Sequence, residues 1–278
     1  MPFRDIAVGL MLGDDTPDLS ALNYAMSLPR VERLQSRLLA LLCVQYLHLP
    51  IASLVPLVHA VVDEVNENHH SKAEDVAREI DSAASRQGIV TVTRILQEDQ
   101  RSAADSFAAA VRLSNICILP RPSDEISLAK LVVERVLFES GRPVLLVPPN
   151  YKKLASFERI VIAWDGGARA SRAVGDAMSI LEKADQVDIV SVSEKPEFCV
   201  TGADLAAYLS SRCKRVELTE LSSAEGGIGT AIRSHASYVH ADLIVMGAFA
   251  HSRLIQILIG GTTNDMVLYA DRPVFLSY

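Results

Sequence analysis

Two short stretches in the second half of the sequence carry residues suited to binding an anion. They read GAFAHS at residues 247–252 and GGTT at residues 260–263, and the second precedes an apolar helical pattern. Glycine lets the backbone approach a ligand closely, and the amides at a helix N-terminus favour a negative group. Thr262 or Thr263 could cap that helix or offer a hydroxyl to a phosphate. These residue types suggest phosphate binding.

Other candidate residues follow two apolar runs that predict strands. The letters WDGG stand at residues 164–167, directly after one run, and Val192 ends the next. In an open α/β sheet, ligands bind beyond the carboxyl ends of the strands, where the winding direction reverses. We therefore expect Trp164, Asp165 and Val192 to lie near Gly247. The Asp165 carboxylate is suited to accept a hydrogen bond from a nucleobase or a ribose.

The elements that must position these residues occur twice in the chain. FRDIAV at residues 3–8 recurs as FERIVI at 157–162, and GRPVLL at 141–146 recurs as DRPVFL at 271–276. A third match, AMSL against AMSI, keeps the same order, which chance would hardly produce. A turn-rich polar stretch at residues 148–153 suits a boundary between the copies. The sequence predicts two domains, residues 1–149 and 150–278, which we name the first half and the second half.

Each half alternates short apolar runs with helical patterns, and this order predicts βαβ units and a parallel sheet. The expected fold is Rossmann-like, with two tandem open five-stranded parallel sheets and helices on both faces. The last strand of each half is short and apolar, so we expect the two to pair and cover each other's edges. The expected strands are residues 6–10, 38–44, 89–95, 116–119 and 144–147, then 159–163, 187–192, 215–221, 243–246 and 274–276.

The glycine spacing of the second half resembles the ATP-binding signature of the universal stress protein family. That pattern is Gly, two residues, Gly, nine residues, Gly, then Ser or Thr, and Asp165 resembles the family's adenine-side aspartate. The resemblance implies an adenine nucleotide alpha hydrolase-like fold, often in dimers or tandem pairs, and binding of ATP with its Mg²⁺. The site residues that it implies are Trp164, Asp165, Val192, Gly247, Ala250, Gly260, Gly261, Thr262 and Thr263, and spacing alone adds Arg253 near the phosphates.

Two residues depart from the signature, and both predict weak binding. Ala250 replaces the second glycine, so its methyl group crowds a phosphate or demands a different backbone angle. Gly261 stands where many nucleotide-binding members have Ser or Thr, which removes a hydroxyl but keeps the amide. The first half has lost the signature altogether, since Lys130 and Leu131 stand at the positions of Gly260 and Gly261. We expect that half to be structural or regulatory.

Composition limits the remaining function classes. The net charge is −7 with both signs interspersed, which argues against nucleic acid, since a phosphate backbone needs a concentrated basic surface. The sequence shows no signal segment and no apolar run long enough to span a bilayer. Four cysteines without a Cys-x-x-Cys pair, at 43, 117, 199 and 213, favour free thiols in a reducing compartment. We expect a cytoplasmic protein without a membrane partner.

The first half also carries about 22 residues that the second half lacks, a difference that the repeat spacings place within residues 51–87. Apolar residues at helical spacing, including Val58, Val61 and Val62, predict one lengthened amphipathic helix or two helices broken near residues 68–71. This surface is either extra packing or a contact with a partner. We expect a homodimer that uses it.

Three functions are open at this stage. The first is a stress-response protein that binds ATP in its second half as a sensor or adaptor. The second is an interaction module with empty clefts. The third is an enzyme, because residues 165–171 faintly resemble the Ser-Gly-Gly-x-Asp-Ser loop of ATP pyrophosphatases, with Asp165 at the serine and Arg169 at the acidic position. We expect no efficient catalysis, because no general base or metal cluster is visible.

Overall fold

The computed structural model describes residues 3–13, 17–32, 36–47, 56–192, 200–221, 226–248 and 261–278. These residues form ten strands and eight helices, which alternate along each half. The strands are β1 (Asp5–Leu12), β2 (Arg37–Gln45), β3 (Val90–Glu98), β4 (Ile116–Pro120), β5 (Val144–Val147), β6 (Arg159–Trp164), β7 (Gln186–Val192), β8 (Val216–Leu221), β9 (Leu243–Gly247) and β10 (Val274–Ser277). The helices are α1 (Ser20–Glu32), α2 (Pro56–Arg86), α3 (Gln100–Val111), α4 (Leu128–Glu139), α5 (Ala168–Leu181), α6 (Gly202–Ser210), α7 (Gly227–Tyr238) and α8 (Thr262–Tyr269).

Within each half the five strands are parallel and follow the same order. The first half reads β3-β2-β1-β4-β5 and the second reads β8-β7-β6-β9-β10. The winding direction therefore reverses between β1 and β4 in the first half and between β6 and β9 in the second. Buried residues of α1, α2, α5 and α6 form the core on one face, and those of α3, α4, α7 and α8 form the core on the other. The predicted α/β class with helices on both faces is confirmed.

The two expected sheets are in fact one continuous sheet of ten strands. β5 and β10 pair antiparallel, with Phe275 opposite Leu145 at the centre of the contact. Both strands are fully buried along their length, so an unpaired edge on either would expose an apolar row. The expected pairing of the last strands is confirmed, and it joins the halves about an approximate twofold relation.

The residues that only the first half carries form part of one unbroken helix. α2 has 31 residues, whereas α6, its counterpart in the second half, has 9. The alternative of two helices broken near residues 68–71 is therefore wrong. Side chains fasten the middle of α2 to the end of β2, because Asn66 bonds both backbone groups of Leu47 and the His69 ring contacts the Gln45 carbonyl at 3.1 Å.

Free thiols lie inside the described part of the protein. Cys43, Cys117 and Cys213 are buried and unbridged, and Cys199 lies outside the described residues. Burial, with a smaller contribution from the Glu98 carboxylate, raises the pKa of Cys43 to about 12. Among the described helices, none is long and apolar enough to cross a membrane.

Candidate ligand site at the carboxyl edge of the second half

The ends of adjacent strands bring several expected residues to one edge of the sheet. β6 lies between β7 and β9, and these three strands end at Trp164, Val192 and Gly247. β10, parallel to β9, ends beside them with Ser277 in register with Gly247. We call this row of strand ends the carboxyl edge. It includes the point where the winding reverses, which is where open α/β sheets bind ligands.

Trp164 and Asp165 begin the loop that leads from β6 into α5. The Trp164 side chain is buried, and its Nε1 donates to the Val200 carbonyl at 2.9 Å. Asp165 is exposed, and its Oδ1 accepts the Gly167 amide at 2.8 Å. That bond closes an Asx turn, while Gly166 takes a φ of +77°, which glycine adopts without strain. Trp164 therefore anchors the loop, and Asp165 shapes it while presenting a carboxylate to solvent.

Gly247 is required by a close approach of two backbones. A Cβ at this position would lie 2.5 Å from the Ala170 amide nitrogen and 2.7 Å from the Arg169 carbonyl carbon. The first turn of α5 thus rests directly on the end of β9. Packing alone accounts for glycine at position 247, and the same contact brings the N-terminus of α5 to the carboxyl edge.

α8 begins earlier than the expected threonine cap implies. Gly261 is its N-cap, with φ −94° and ψ 164°, and none of the described side chains caps the helix. Thr262 is the first helical residue and Thr263 is 5% exposed, so the expectation that either threonine caps the helix is wrong. The chain leaves β9 at the carboxyl edge and enters β10 at the opposite edge, which places the positive end of α8 near the candidate site.

A basic residue of α7 neutralises the acidic group in the first turn of α8. Arg233 forms an ion pair with Asp265, and its other terminal nitrogen donates to Thr230 at 3.1 Å. A Cβ at Gly229 would fall 1.9 Å from a carboxylate oxygen of Asp265, so α7 and α8 pack closely here. The pairing offsets the repulsion that Asp265 would otherwise exert on an anion.

The first half reaches this helix through the residue that replaced a signature glycine. Lys130 of α4, whose side chain is 7% exposed, donates to the Asn264 side-chain carbonyl in the first turn of α8. It also contacts Glu125 at 3.3 Å, and the Asn264 amide donates to Glu125 at 2.6 Å. The Asn264 hydrogen bond, helped by Lys130, lowers the pKa of Glu125. Sequence reasoning missed this contact, because no pattern links residues 134 positions apart.

A second missed residue is Arg169, the second residue of α5. Its guanidinium carbon lies 4.4 Å from the centre of the Tyr278 ring, and its Nη2 donates to the Tyr278 hydroxyl at 3.0 Å. The Tyr278 ring in turn meets Phe138 of the first half edge-on at 4.7 Å. The sequence did signal a cation directly after the WDGG loop, but spacing could not say which way it points.

Some expected site residues lie outside the described part of the chain. These are Ala250, Arg253 and Gly260, together with the side chain of Val192, whose backbone ends β7. Among the described residues, no group of three His, Cys, Asp or Glu side chains could hold a metal ion. The described site therefore consists of Asp165, Gly247, Gly261, Thr262 and the neighbouring Arg169.

Residues 156–277 match the model of the Universal stress protein family. A universal stress protein from Archaeoglobus fulgidus DSM 4304 has a similar structure, with a TM-score of 0.73 and 20% identity over 98% of this chain and 95% of that one. A functionally unknown protein from Pseudomonas aeruginosa PAO1 follows with a TM-score of 0.57 and 16% identity, covering 99% and 92%. These likenesses show the fold across both halves. No curated protein sequence matches the chain.

Proposed function

We propose, from the match of residues 156–277 to the Universal stress protein family, that the chain binds an adenine nucleotide weakly in its second half. In this role the protein acts as a sensor or adaptor in a stress response. The observation that carries the proposal is that Asp165 and Gly247 lie at the ends of β6 and β9, the two strands between which the winding of the sheet reverses. The connection from β9 to β10 brings the start of α8 to the same side of the sheet. Nucleotides bind at such points in open α/β sheets.

Each group has a chemical role in this proposal. The exposed Asp165 carboxylate accepts a hydrogen bond from the adenosine part, and the positive end of α8 receives the phosphates. Gly261 contributes an amide but no hydroxyl, which keeps the affinity low. Mg²⁺ arrives bound to the phosphates of ATP, since Asp265, the acidic residue in the first turn of α8, is already paired with Arg233.

The first half has a different role in the proposal, with the domain boundary between residues 149 and 150. The signature positions there fall inside α4, at Lys130 and Leu131, where no glycine admits a phosphate. This half supports or regulates the second through its contacts with α8 and Tyr278. We therefore expect one nucleotide per chain.

Calorimetry of the full chain with MgATP tests this proposal. The expected result is one site, with weak affinity that Gly261→Val lowers at least tenfold. The backbone of Gly261 is extended, a conformation that valine also adopts, so the variant adds a side chain beside the helix start without backbone strain. Leu131→Val makes the same residue at the equivalent position of the first half and should leave the affinity unchanged. Two sites per chain would contradict the assignment to the second half.

An interaction module remains the second candidate, supported by exposed apolar side chains at one end of the first half. Tyr46, Leu47, Val58 and Val61 are between 37% and 52% exposed. We name these four residues the α2 patch, and we propose that it joins two chains in a homodimer. Absence of any heat or thermal shift at millimolar ATP would leave interaction as the function of the protein.

The surroundings of the protein follow from its thiols and its charge. The three described cysteines are unbridged, which fits a reducing compartment, so we place the protein in the cytoplasm. A net charge of −7 disfavours nucleic acid as a partner.

A further inference from the structure

We propose that Arg169 recognises the charged end of the ligand, and that the Tyr278 ring holds its guanidinium in a second position when no anion is bound. This inference rests on the proposed nucleotide site and names the side chain that distinguishes a phosphorylated ligand from a neutral one.

The backbone places Arg169 at the centre of the carboxyl edge. A Cβ built on Gly247 would lie 3.0 Å from the Arg169 Cβ, so this arginine leaves the chain directly above the end of β9. Ser277 is in register with Gly247 on β10, and Tyr278 follows it. The Arg169 side chain therefore crosses the ends of β9 and β10, on the edge where the ligand is proposed to bind.

The contacts of Arg169 with Tyr278 are of a kind that an anion can replace. A cation over a half-exposed aromatic ring is a weak interaction, and Tyr278 is 48% exposed. The hydroxyl of Tyr278 adds one hydrogen bond with a neutral acceptor. Guanidinium binds phosphate through two parallel charge-assisted bonds, each roughly twice as strong as a neutral one. A phosphate within reach therefore competes successfully with Tyr278 for the same guanidinium.

The first half influences this exchange. Phe138 of α4 packs edge-on against the Tyr278 ring, and α4 also holds the first turn of α8 through Lys130 and Asn264. One helix of the first half thus contacts both the residue that retains Arg169 and the helix that receives the phosphates. Through α4, the first half therefore influences how tightly the second half binds its anionic ligand.

The decisive measurement compares ATP with adenosine as ligands of the full chain. Arg169→Met keeps an unbranched side chain of similar length but removes the charge. We expect it to weaken MgATP binding about tenfold, the equivalent of about 1.4 kcal/mol, and to change adenosine binding less than twofold. Arg172→Met is the matched control, because Arg172 lies one turn further along α5 in a surface ion pair with Asp176. It should alter neither affinity.

A second variant tests the retaining role of the ring. Tyr278→Leu removes both the ring and the hydroxyl, so Arg169 no longer has to leave Tyr278, and MgATP should bind a few-fold more tightly while adenosine does not. Unchanged or weaker ATP binding in this variant contradicts the retaining role, and it decides the matter alone if Arg169→Met does not fold.

The possible outcomes separate this inference from the function on which it rests. If the parent binds MgATP but Arg169→Met binds it equally well, or loses ATP and adenosine to the same extent, Arg169 does not recognise the charge and the nucleotide site stands. If the parent binds neither ligand at millimolar concentration, both proposals are wrong.

Discussion

The helices α4 and α8 occupy equivalent places in the two halves but begin differently. Their C-caps, Ser140 and Ala270, precede Pro143 and Pro273 of the repeated motif by the same three residues. α4 nevertheless has 12 residues and α8 has 8. In the longer helix Lys130 stands where Gly260 stands in the second half. Relative to that motif, α4 begins four positions earlier than α8. The position of Lys130 therefore lies inside a helix in the first half, whereas the helix of the second half begins only at Thr262.

The two helix starts also differ in how their amides are satisfied. The Ser127 hydroxyl caps α4 by accepting the Lys130 amide at 3.2 Å, whereas in the described part of the chain no side chain caps α8. A helix N-terminus that its own chain caps has less need of an anion. In the first half a side chain therefore occupies the position that the second half keeps as a candidate site. The following variants test this contrast.

The largest effect on stability is expected at Gly247, which ends the fourth strand of the second half. The equivalent strand of the first half ends at Pro120. Gly247→Ala places a Cβ 2.5 Å from the Ala170 amide nitrogen, so the start of α5 must move. Overpacking of this kind costs about 1–3 kcal/mol, and chemical denaturation should show the loss. Gly175→Ala on the same helix meets nothing within 4 Å and should stabilise by about 0.4–1 kcal/mol. Equal stability of the two variants would contradict the close approach.

An intermediate effect is expected where α4 touches α8. Asn264→Ala leaves the buried Lys130 ammonium with Glu125 at 3.3 Å but without its amide partner, which should cost about 0.5–1.5 kcal/mol. Lys130→Met removes the charge as well and should cost less. A double-mutant cycle on the free energy of unfolding should therefore give a coupling of about 0.5–3 kcal/mol. Independent, additive effects would show that the halves are not joined here.

This coupling should depend on pH, because the contact with Asn264 lowers the pKa of Glu125. A carboxyl whose pKa is lower in the folded state stabilises the protein above its unfolded pKa of about 4.3. That contribution disappears as the pH falls through the lowered folded value. The cycle should consequently give its full coupling at pH 7 and a smaller one in acid.

The smallest effect on stability is expected at the α2 patch, which only the first half carries. Changing Val58 and Val61 together to Glu should leave the melting temperature unchanged, because they are 40% and 52% exposed. If the patch joins two chains, light scattering should then report half the mass of the parent. Ala60→Glu, which points away from the patch on the same helix, is the control. A monomeric parent would contradict the dimer.

The repeat, the α/β class and the row of strand ends could be predicted from the order of residues alone. Alternating apolar runs and helical patterns are local properties, and the chirality of the chain then restricts how such units connect. The pairing of β5 with β10 could also be predicted, since two short apolar edges need a partner. The positions of Asp165 and Gly247 beyond adjacent strands followed from the same reasoning.

The tertiary structure alone decided how side chains from distant segments meet. Asn68, His69 and His70 are poor helix formers, yet α2 continues through them because Asn66 and His69 bond the end of β2. Periodicity shows which face of an element is buried, but not which residue of another element lies opposite. The contacts of Lys130 with Asn264 and of Arg169 with Tyr278 join segments more than 100 residues apart. The first contact exists because the pairing of β5 with β10 packs the two halves against each other. The second exists because α5 begins over the end of β9, next to the end of β10.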